Sequence, residues 1–128
     1  SEGEDISPPL QWTNVPEGTR QFALVVHDPD APMTHGAVHW VVYGIPASTT
    51  SLEEGGGRDF SHGVNYLGNQ KYDGCAPPSG HGPHHYFFHL YALDSELDAE
   101  PGLTREQLLE RIDDHIIEQA RLVGTYET

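Results

Sequence analysis

The stretch from Tyr72 to Asp94, YDGCAPPSGHGPHHYFFHLYALD, decides the fold of this chain. Its first half is a turn-rich loop with paired prolines, and its second half holds the densest aromatic and apolar segment of the protein. If the residues from His84 onward are extended, their side chains alternate between two faces. One face then carries His84, Tyr86, Phe88, Leu90 and Ala92, and the other carries His85, Phe87, His89, Tyr91 and Leu93. His84 and Tyr86 therefore form a polar pair where a strand leaves a loop, a favourable place for a binding site because loops on a rigid scaffold often hold function.

Length and composition predict one domain over residues 1–128, with a single buried core. The lone cysteine, Cys75, excludes an internal disulfide framework and a cysteine-based zinc cluster, and we interpret it as a neutral thiol rather than a reactive one. The chain has no run of 18 apolar residues, so a transmembrane segment is not expected. The first residues, SEGEDISPP, have no charged and apolar signal-peptide pattern. We therefore expect a soluble cytoplasmic protein, although an already processed chain would look the same.

The charge balance is strongly acidic, with 20 Asp and Glu against 6 Lys and Arg and a formal net charge of −14. Such a surface repels phosphate backbones and anionic lipid surfaces, which disfavours nucleic-acid binding. The same charge suits a protein kept soluble at molar salt, where the screening length falls to about 3 Å. We state adaptation to high salt as a hypothesis.

Two further apolar runs predict buried strands. The run Gln21 to Val26, QFALVV, leads directly into HDPDAP, whose prolines end the strand. Asp28 continues the alternation of this strand, and a carboxylate at the edge of a core costs free energy unless it is hydrogen-bonded. The alternative is an Asx turn in which Asp28 and Asp30 bond their own backbone.

The second run is Ala37 to Ile45, AVHWVVYGI, closed by a proline. By strict alternation His39 shares a face with Val41 and Tyr43. A lone histidine in such a strand is more often a core residue than a ligand. His39 nevertheless lies at the beginning of its strand, as His84 does.

From Ala47 to Pro83 the chain has almost no periodicity, and a loop this long in a compact domain is usually functional or disordered. Its glycine triplet is not a phosphate-binding loop, because no Lys followed by Ser or Thr comes after it. Thr104 to Arg121 is predicted to be a helix, since Thr104 and Gln107 match a capping box and the apolar residues fall at helical spacing. A last short strand is expected at Leu122 to Tyr126.

The strand ends thus present Asp28, His39, His84 and Tyr86. Two imidazoles and a phenol donate hydrogen bonds, while a carboxylate fixes a tautomer or accepts from a protonated ligand oxygen. This set suits a small anion and has no obvious nucleophile, so no catalytic residue and no cofactor is assigned.

At these residues the chain resembles a known family. ISPPLQW, DPDAP, VHWVVYGIP and the opening stretch, in that order, resemble the phosphatidylethanolamine-binding protein family, in its short bacterial and archaeal Raf-kinase-inhibitor-like branch. The resemblance runs from Ser7 to the terminal LVGTYE. It implies a mainly β fold, an antiparallel β-sandwich of a large and a smaller sheet with one C-terminal helix. It also implies a small pocket for anions such as phosphate groups or a phospholipid head group.

The resemblance also assigns pocket positions. The family pattern matches Asp28 and Asp30 in DPDAP, His39 in the following strand, and His84 and Tyr86 in its second motif. Pro32 and Pro78 match prolines that line the opening. Many relatives have GPCPP where this chain has GCAPP, so the shape of the rim of the pocket opening is not carried over by the resemblance. Relatives also commonly have an N-terminal strand before ISPP, so we expect a trimmed chain or a sheet edge finished differently.

Two classes of function stay open at this point. The first is a binding protein for a small anion or phospholipid head group, which modulates a partner protein. The second is a hydrolase or a histidine-ligated metal enzyme, which has less support because His84 and His85 face opposite ways and no HExxH or GxSxG pattern occurs. A kinase or protease as the partner rests on family analogy alone. Pairing of two copies as a homodimer is left open.

Overall fold

Over the residues that it describes, the computed structural model has seven strands and one α-helix. It describes residues 10–28, 37–53, 56, 60–66, 68–72, 84–97 and 99–126, and for residues 28, 37, 84–87 and 122–126 it describes the backbone alone. The strands are β1 (Leu10–Gln11), β2 (Gln21–Asp28), β3 (Ala37–Pro46), β4 (Ser51–Leu52), β5 (Ser61–His62), β6 (His84–Leu93) and β7 (Ile116–Tyr126). The helix α1 spans Arg105–Ile112, and a 3₁₀ turn, Asp113–His115, follows it.

Five strands form the larger sheet in the order β5-β3-β2-β6-β7, and every neighbouring pair is antiparallel. β1 and β4 pair antiparallel as a second, two-stranded sheet. The expected fold, a larger and a smaller antiparallel sheet with a helix near the C-terminus, is confirmed. β2 lies in the middle of the larger sheet, which explains why its sequence is apolar on both faces.

One face of the larger sheet packs under the smaller sheet. We call the buried residues there the small-sheet-side cluster: Phe22, Leu24, Val26, Trp40, Val42, Ile45, Leu52, Tyr72, Phe88, Leu90 and Ala92. Leu10 in β1 packs against it, and Leu52 in β4 belongs to it. The smaller sheet is therefore held by apolar contact with β2, β3 and β6.

The opposite face packs under α1. We call these residues the helix-side cluster: Ala23, Val25, Val41, Tyr43, Tyr91, Leu93, Leu103, Leu108 and Ile112. Leu108 and Ile112 of α1 are fully buried in it. Phe88 and Leu90 lie in one cluster while Tyr91 and Leu93 lie in the other, so the alternation predicted for β6 is confirmed from Phe88 to Leu93.

The helix begins as predicted and ends earlier than predicted. Thr104 accepts a hydrogen bond from the backbone N–H of Gln107, and the Gln107 side chain accepts one from the backbone N–H of Thr104, which completes the capping box. The prediction that the helix continues to Arg121 is wrong, because the chain leaves the helix after Ile112 and becomes β7 at Ile116. β7 pairs with β6 along its whole length. The helical spacing of a few apolar residues favours a helix only weakly, so the inter-strand hydrogen bonds decide the structure of this segment. The predicted last strand is confirmed and is longer than expected.

Candidate functional site at one edge of the larger sheet

Three strand ends meet at one edge of the larger sheet. β2 ends at Asp28, and its two antiparallel neighbours begin at this edge, β3 at Ala37 and β6 at His84. Asp28 pairs with Ala37 of β3, and His27 pairs with Phe87 of β6. The topology therefore brings the predicted carboxylate and the predicted strand-end residues to the same end of three neighbouring strands.

Asp28 and Tyr86 are next to the last paired residues of β2 and β6. The pairing of the two strands runs without a shift from Gln21 to His27, where His27 lies opposite Phe87. Asp28 follows His27 in β2, and Tyr86 precedes Phe87 in β6. His84 lies two residues before Tyr86 and pairs with Tyr126 of β7.

His39 is the extra residue of a β-bulge in β3. Val26 pairs with Trp40 and His27 pairs with Val38, so His39 has no residue of its own opposite it in β2. Val38 packs against the helix-side cluster and Trp40 belongs to the small-sheet-side cluster, although residues two apart in a regular strand share a face. The regular alternation is therefore interrupted between Val38 and Trp40, and the bulge, not regular pairing, sets the orientation of His39; the prediction that His39 shares a face with Val41 and Tyr43 stays a prediction.

His39 is fully buried and lies against an aromatic ring from the long loop. Its ring centroid is 5.3 Å from that of Tyr66, with the planes at 76°, an edge-to-face contact. The backbone N–H of Tyr66 donates to the carbonyl oxygen of Val38 over 2.8 Å, which ties the loop to β3 beside His39. Sequence reasoning missed Tyr66, because no periodic pattern marks it within the loop.

Asn65 holds the loop in this position. Its side-chain N–H donates to the carbonyl oxygen of Lys71 over 2.8 Å, and its side-chain oxygen accepts from the backbone N–H of Asn69 over 3.1 Å. The residue is buried, so these bonds offset the cost of removing its amide from water. The run NYLGN, with Gly68 at a φ of +80°, is the sequence signal of this turn.

Trp40, the residue after His39, packs against two further rings beside the bulge. Its ring centroid is 5.6 Å from that of Tyr72, edge to face, and 6.0 Å from that of His62. The carbonyl oxygen of Phe60 lies 2.9 Å from Nδ1 of His62, so the Nδ1–H donates and the neutral ring carries its proton there. Burial lowers the pKa of His62, and the hydrogen bond to Phe60 opposes this shift in part. His62 is therefore a neutral packing partner near neutral pH.

The other predicted site residues stand as follows. Asp30, Pro32 and Pro78 lie outside the described residues, and so does Cys75. For Asp28, His84 and Tyr86 the structure describes the backbone alone, so the Asx-turn alternative for Asp28 and Asp30 stays a prediction. Among the described side chains, no group of three His, Cys, Asp or Glu has a metal-binding arrangement. Within the described ranges, no helix has the length and apolar character needed to span a membrane.

A concavity beside α1 does not suit an anion. It has a volume of about 530 Å³ and is lined by Glu100, Glu110 and Arg111 together with uncharged residues of the same segment. Two carboxylates against one guanidinium give this concavity a negative charge. It is therefore a poor alternative to the candidate site at the ends of β2, β3 and β6, which we call the strand-end site and which consists of Asp28, His39, His84 and Tyr86.

The two antiparallel sheets and the helix near the C-terminus have the arrangement of a phosphatidylethanolamine-binding-protein-like β-sandwich, and comparison with known proteins agrees. A family model described as phosphatidylethanolamine-binding protein matches residues 1–127, so the chain belongs to this family. It is 47% identical over 131 residues to a UPF0098 protein of Methanothermobacter thermautotrophicus, an alignment that covers 98% of this chain and 85% of that protein.

Two solved structures have the same fold. The crystal structure of CT736 from Chlamydia trachomatis, a homologue of phosphatidylethanolamine-binding protein, superimposes with a TM-score of 0.88 at 41% identity, covering 96% of this chain and 82% of that one. Escherichia coli YbcL, a member of the mammalian PEBP family, gives 0.84 at 34% identity, covering 97% and 81%. The resemblance read from the motifs is confirmed. The ligand, the site residues, the partner protein and the cytoplasmic location stay predictions.

Proposed function

We propose that this protein binds a small phosphate-type anion, either free or as the head group of a phospholipid, at the edge where β2 ends and β3 and β6 begin. The observation that carries the proposal is the register that brings Asp28, the His39 bulge and Tyr86 onto three neighbouring strands at one edge. Membership of a family described as phosphatidylethanolamine-binding supports the choice of ligand.

The chemistry of these side chains suits recognition of a phosphate group. Protonated imidazoles of His39 and His84 and the phenol of Tyr86 donate to phosphate oxygens, while Asp28 accepts from a protonated oxygen or fixes a histidine tautomer. The formal net charge of −14 repels anions at long range, so attraction has to come from charge close to the ligand. Protonation of the histidines supplies that charge.

The proposal is of binding rather than catalysis. The four proposed residues are a carboxylate, two imidazoles and a phenol, which supply donors and acceptors, and none of the four is a serine or cysteine. Bound phosphoethanolamine is therefore expected to be recovered intact, and release of inorganic phosphate, followed by phosphorus NMR, would overturn this part. Modulation of a partner protein, such as a kinase or protease, belongs to the proposal by family resemblance alone.

Calorimetric titration with O-phosphoethanolamine tests the site. Affinity is expected to weaken as the pH rises above about 6.5, where histidine loses its proton. His84→Ala and Asp28→Ala are each expected to abolish binding and leave the fold intact. His85→Ala is the matched control, because it removes the adjacent histidine from the other face of β6 and should bind as wild type.

Two outcomes would contradict the proposal. Equal affinity at pH 5.5 and pH 8.5, on either side of the ordinary histidine pKa of about 6.5, would exclude protonated histidine as the source of attraction. If Asp28→Ala unfolds the protein while the remaining folded fraction still binds, Asp28 belongs to an Asx turn and not to the site.

A further inference from the structure

The concavity beside α1 lies outside the strand-end site and has no part in the proposed function. Its volume of about 530 Å³ falls within the range of about 300 to 1,000 Å³ that is usual for small-molecule sites. One wall consists of residues 100–103, and the other is the side of α1 that carries Gln107, Glu110 and Arg111. Gln107 lies three residues before Glu110 and four before Arg111, so these side chains share one side of the helix. The concavity is therefore large enough for a small molecule.

Hydrogen bonds and apolar packing hold the wall before α1 in place. The phenolic O–H of Tyr43, a buried residue, donates to the backbone carbonyl oxygen of Glu100 over 2.6 Å. The backbone N–H of Gly102 donates to the carbonyl oxygen of His62 over 2.8 Å. Leu103, the next residue, is buried in the helix-side cluster. The wall is therefore preformed, and a ligand does not have to order it on binding.

Three charged side chains line the concavity without pairing with one another. Glu100 and Glu110 carry carboxylates, and Arg111 carries a guanidinium group. Among the described residues, none of the three forms an ion pair or a side-chain hydrogen bond. All three residues are exposed, so a ligand that enters from solvent can reach their charges.

These charges select a cationic ligand that also carries one anionic group. Two carboxylates against one guanidinium leave one negative charge, and the formal net charge of −14 adds attraction for cations at longer range. A carboxylate accepts hydrogen bonds from ammonium and guanidinium groups, and the guanidinium group of Arg111 matches a carboxylate in geometry. A ligand with two cationic groups and one carboxylate therefore offers each charged side chain of the concavity a partner of opposite sign.

We propose that this concavity binds a small dibasic amino acid, of the lysine or arginine type, with its two cationic groups against Glu100 and Glu110 and its carboxylate against Arg111. The inference does not depend on the proposed function, because it uses none of the four residues of the strand-end site. It also gives a use to Arg111, a guanidinium group that pairs with no described carboxylate in a chain with 20 Asp and Glu.

Amide NMR with L-lysine tests this site. L-Lysine is titrated into the full chain at pH 7.0, with sodium chloride adjusted to hold the ionic strength constant, while the backbone amide of Gly102 and the side-chain amide of Gln107 are followed. Both signals are expected to shift and saturate. In Glu100→Gln and Glu110→Gln the affinity should fall about threefold each, a loss within the range of an exposed ion pair. Glu100→Gln keeps the hydrogen bond from Tyr43, because that bond goes to the backbone.

An analogue of lysine tests the role of the guanidinium group. Cadaverine has both amines of lysine and no carboxylate, so it has no group for Arg111 to bind. Arg111→Gln should therefore weaken the binding of lysine and should not weaken the binding of cadaverine. Equal losses for the two ligands, or no loss for lysine, would overturn the proposed orientation.

The controls separate this site from general charge effects. Glu106→Gln removes the same charge from α1 at a side chain that is 74% exposed and does not line the concavity, so it should leave the affinity for lysine unchanged. Shifts that sodium chloride alone reproduces would overturn the proposal. So would an affinity for lysine that survives the combined Glu100→Gln and Glu110→Gln change.

Discussion

His39 lies edge-on against Tyr66, with 5.3 Å between the ring centroids and an angle of 76° between the planes. His39 comes from a bulge in the sheet, and Tyr66 comes from a loop that bonds to β3 through its backbone. A ring packed against a buried imidazole restricts the orientations that the imidazole can adopt. We therefore expect Tyr66 to act as a positioning residue for the proposed strand-end site, through its contact with His39.

Replacement of Tyr66 tests this role. Tyr66→Ala removes the ring that restrains His39, so the affinity for O-phosphoethanolamine should fall several-fold. This size is expected because the interaction energy of an aromatic pair is about 0.5 to 1.5 kcal/mol in double-mutant cycles. Tyr66→Phe keeps the ring and is expected to bind within about twofold of wild type, which corresponds to about 0.4 kcal/mol. Titration calorimetry of both variants checks the prediction. Equal loss in the two variants would assign the effect to the hydroxyl group instead.

Gly63 marks a close approach between the long loop and the segment before α1. A Cβ at this position would collide with the carbonyl oxygen of Leu103 and the side chain of Val41. The backbone there is fixed, since Gly63 donates to Val41 and Val64 donates to Leu103, so Gly63→Ala should lower the free energy of unfolding by about 3 kcal/mol. In the control, Gly68→Ala, no atom of the described residues other than the adjoining ones lies within 4 Å of the added Cβ, and strain from the positive φ should cost about 1 kcal/mol. Denaturant unfolding of both variants measures the difference, and equal losses would contradict the steric argument.

Two histidines make stability depend on pH. Burial lowers the pKa of both His62 and His89 below the ordinary value of about 6.5. As the pH falls through that value the unfolded chain gains protons that the folded chain does not, so these residues reduce the free energy of unfolding at acid pH and have no effect above it. His89→Gln in phosphate-free buffer should therefore lose less stability than wild type between neutral and acid pH. A loss as large as that of wild type in denaturant unfolding would show that His89 titrates normally.

The net charge of −14 predicts that stability depends on salt. Repulsion among the carboxylates opposes the compact state in dilute buffer. Molar salt weakens this repulsion because it shortens the screening length to about 3 Å. The melting temperature should therefore rise from dilute buffer to molar salt. A melting temperature indifferent to salt would remove the hypothesis of adaptation to high salt.

The sequence predicts those parts of the fold that depend on local pattern. The alternation in β6 separates Phe88 and Leu90 from Tyr91 and Leu93, and the structure confirms this separation. It can be predicted because alternation of side chains is a local property of any extended strand. The capping box at Thr104 and Gln107 is equally local and is also confirmed.

The errors and omissions depend on non-local pairing. Ile116 and Ala120 fit a helical spacing, but pairing with β6 makes their segment a strand, and nothing in the local pattern reveals that partner. The bulge at His39 appears only when β3 is aligned with β2. Tyr66 lies in a segment without periodicity, and its place beside His39 follows from backbone contacts with β3.

The most direct test of the strand-end site is a crystal structure of the protein grown with O-phosphoethanolamine at pH 5.5, below the ordinary histidine pKa of about 6.5. We predict density for a phosphate group between His39 and His84, within hydrogen-bond distance of Tyr86, with Asp28 on the opposite side. A metal ion held there by three side chains, or ligand density only elsewhere on the molecule, would contradict the account.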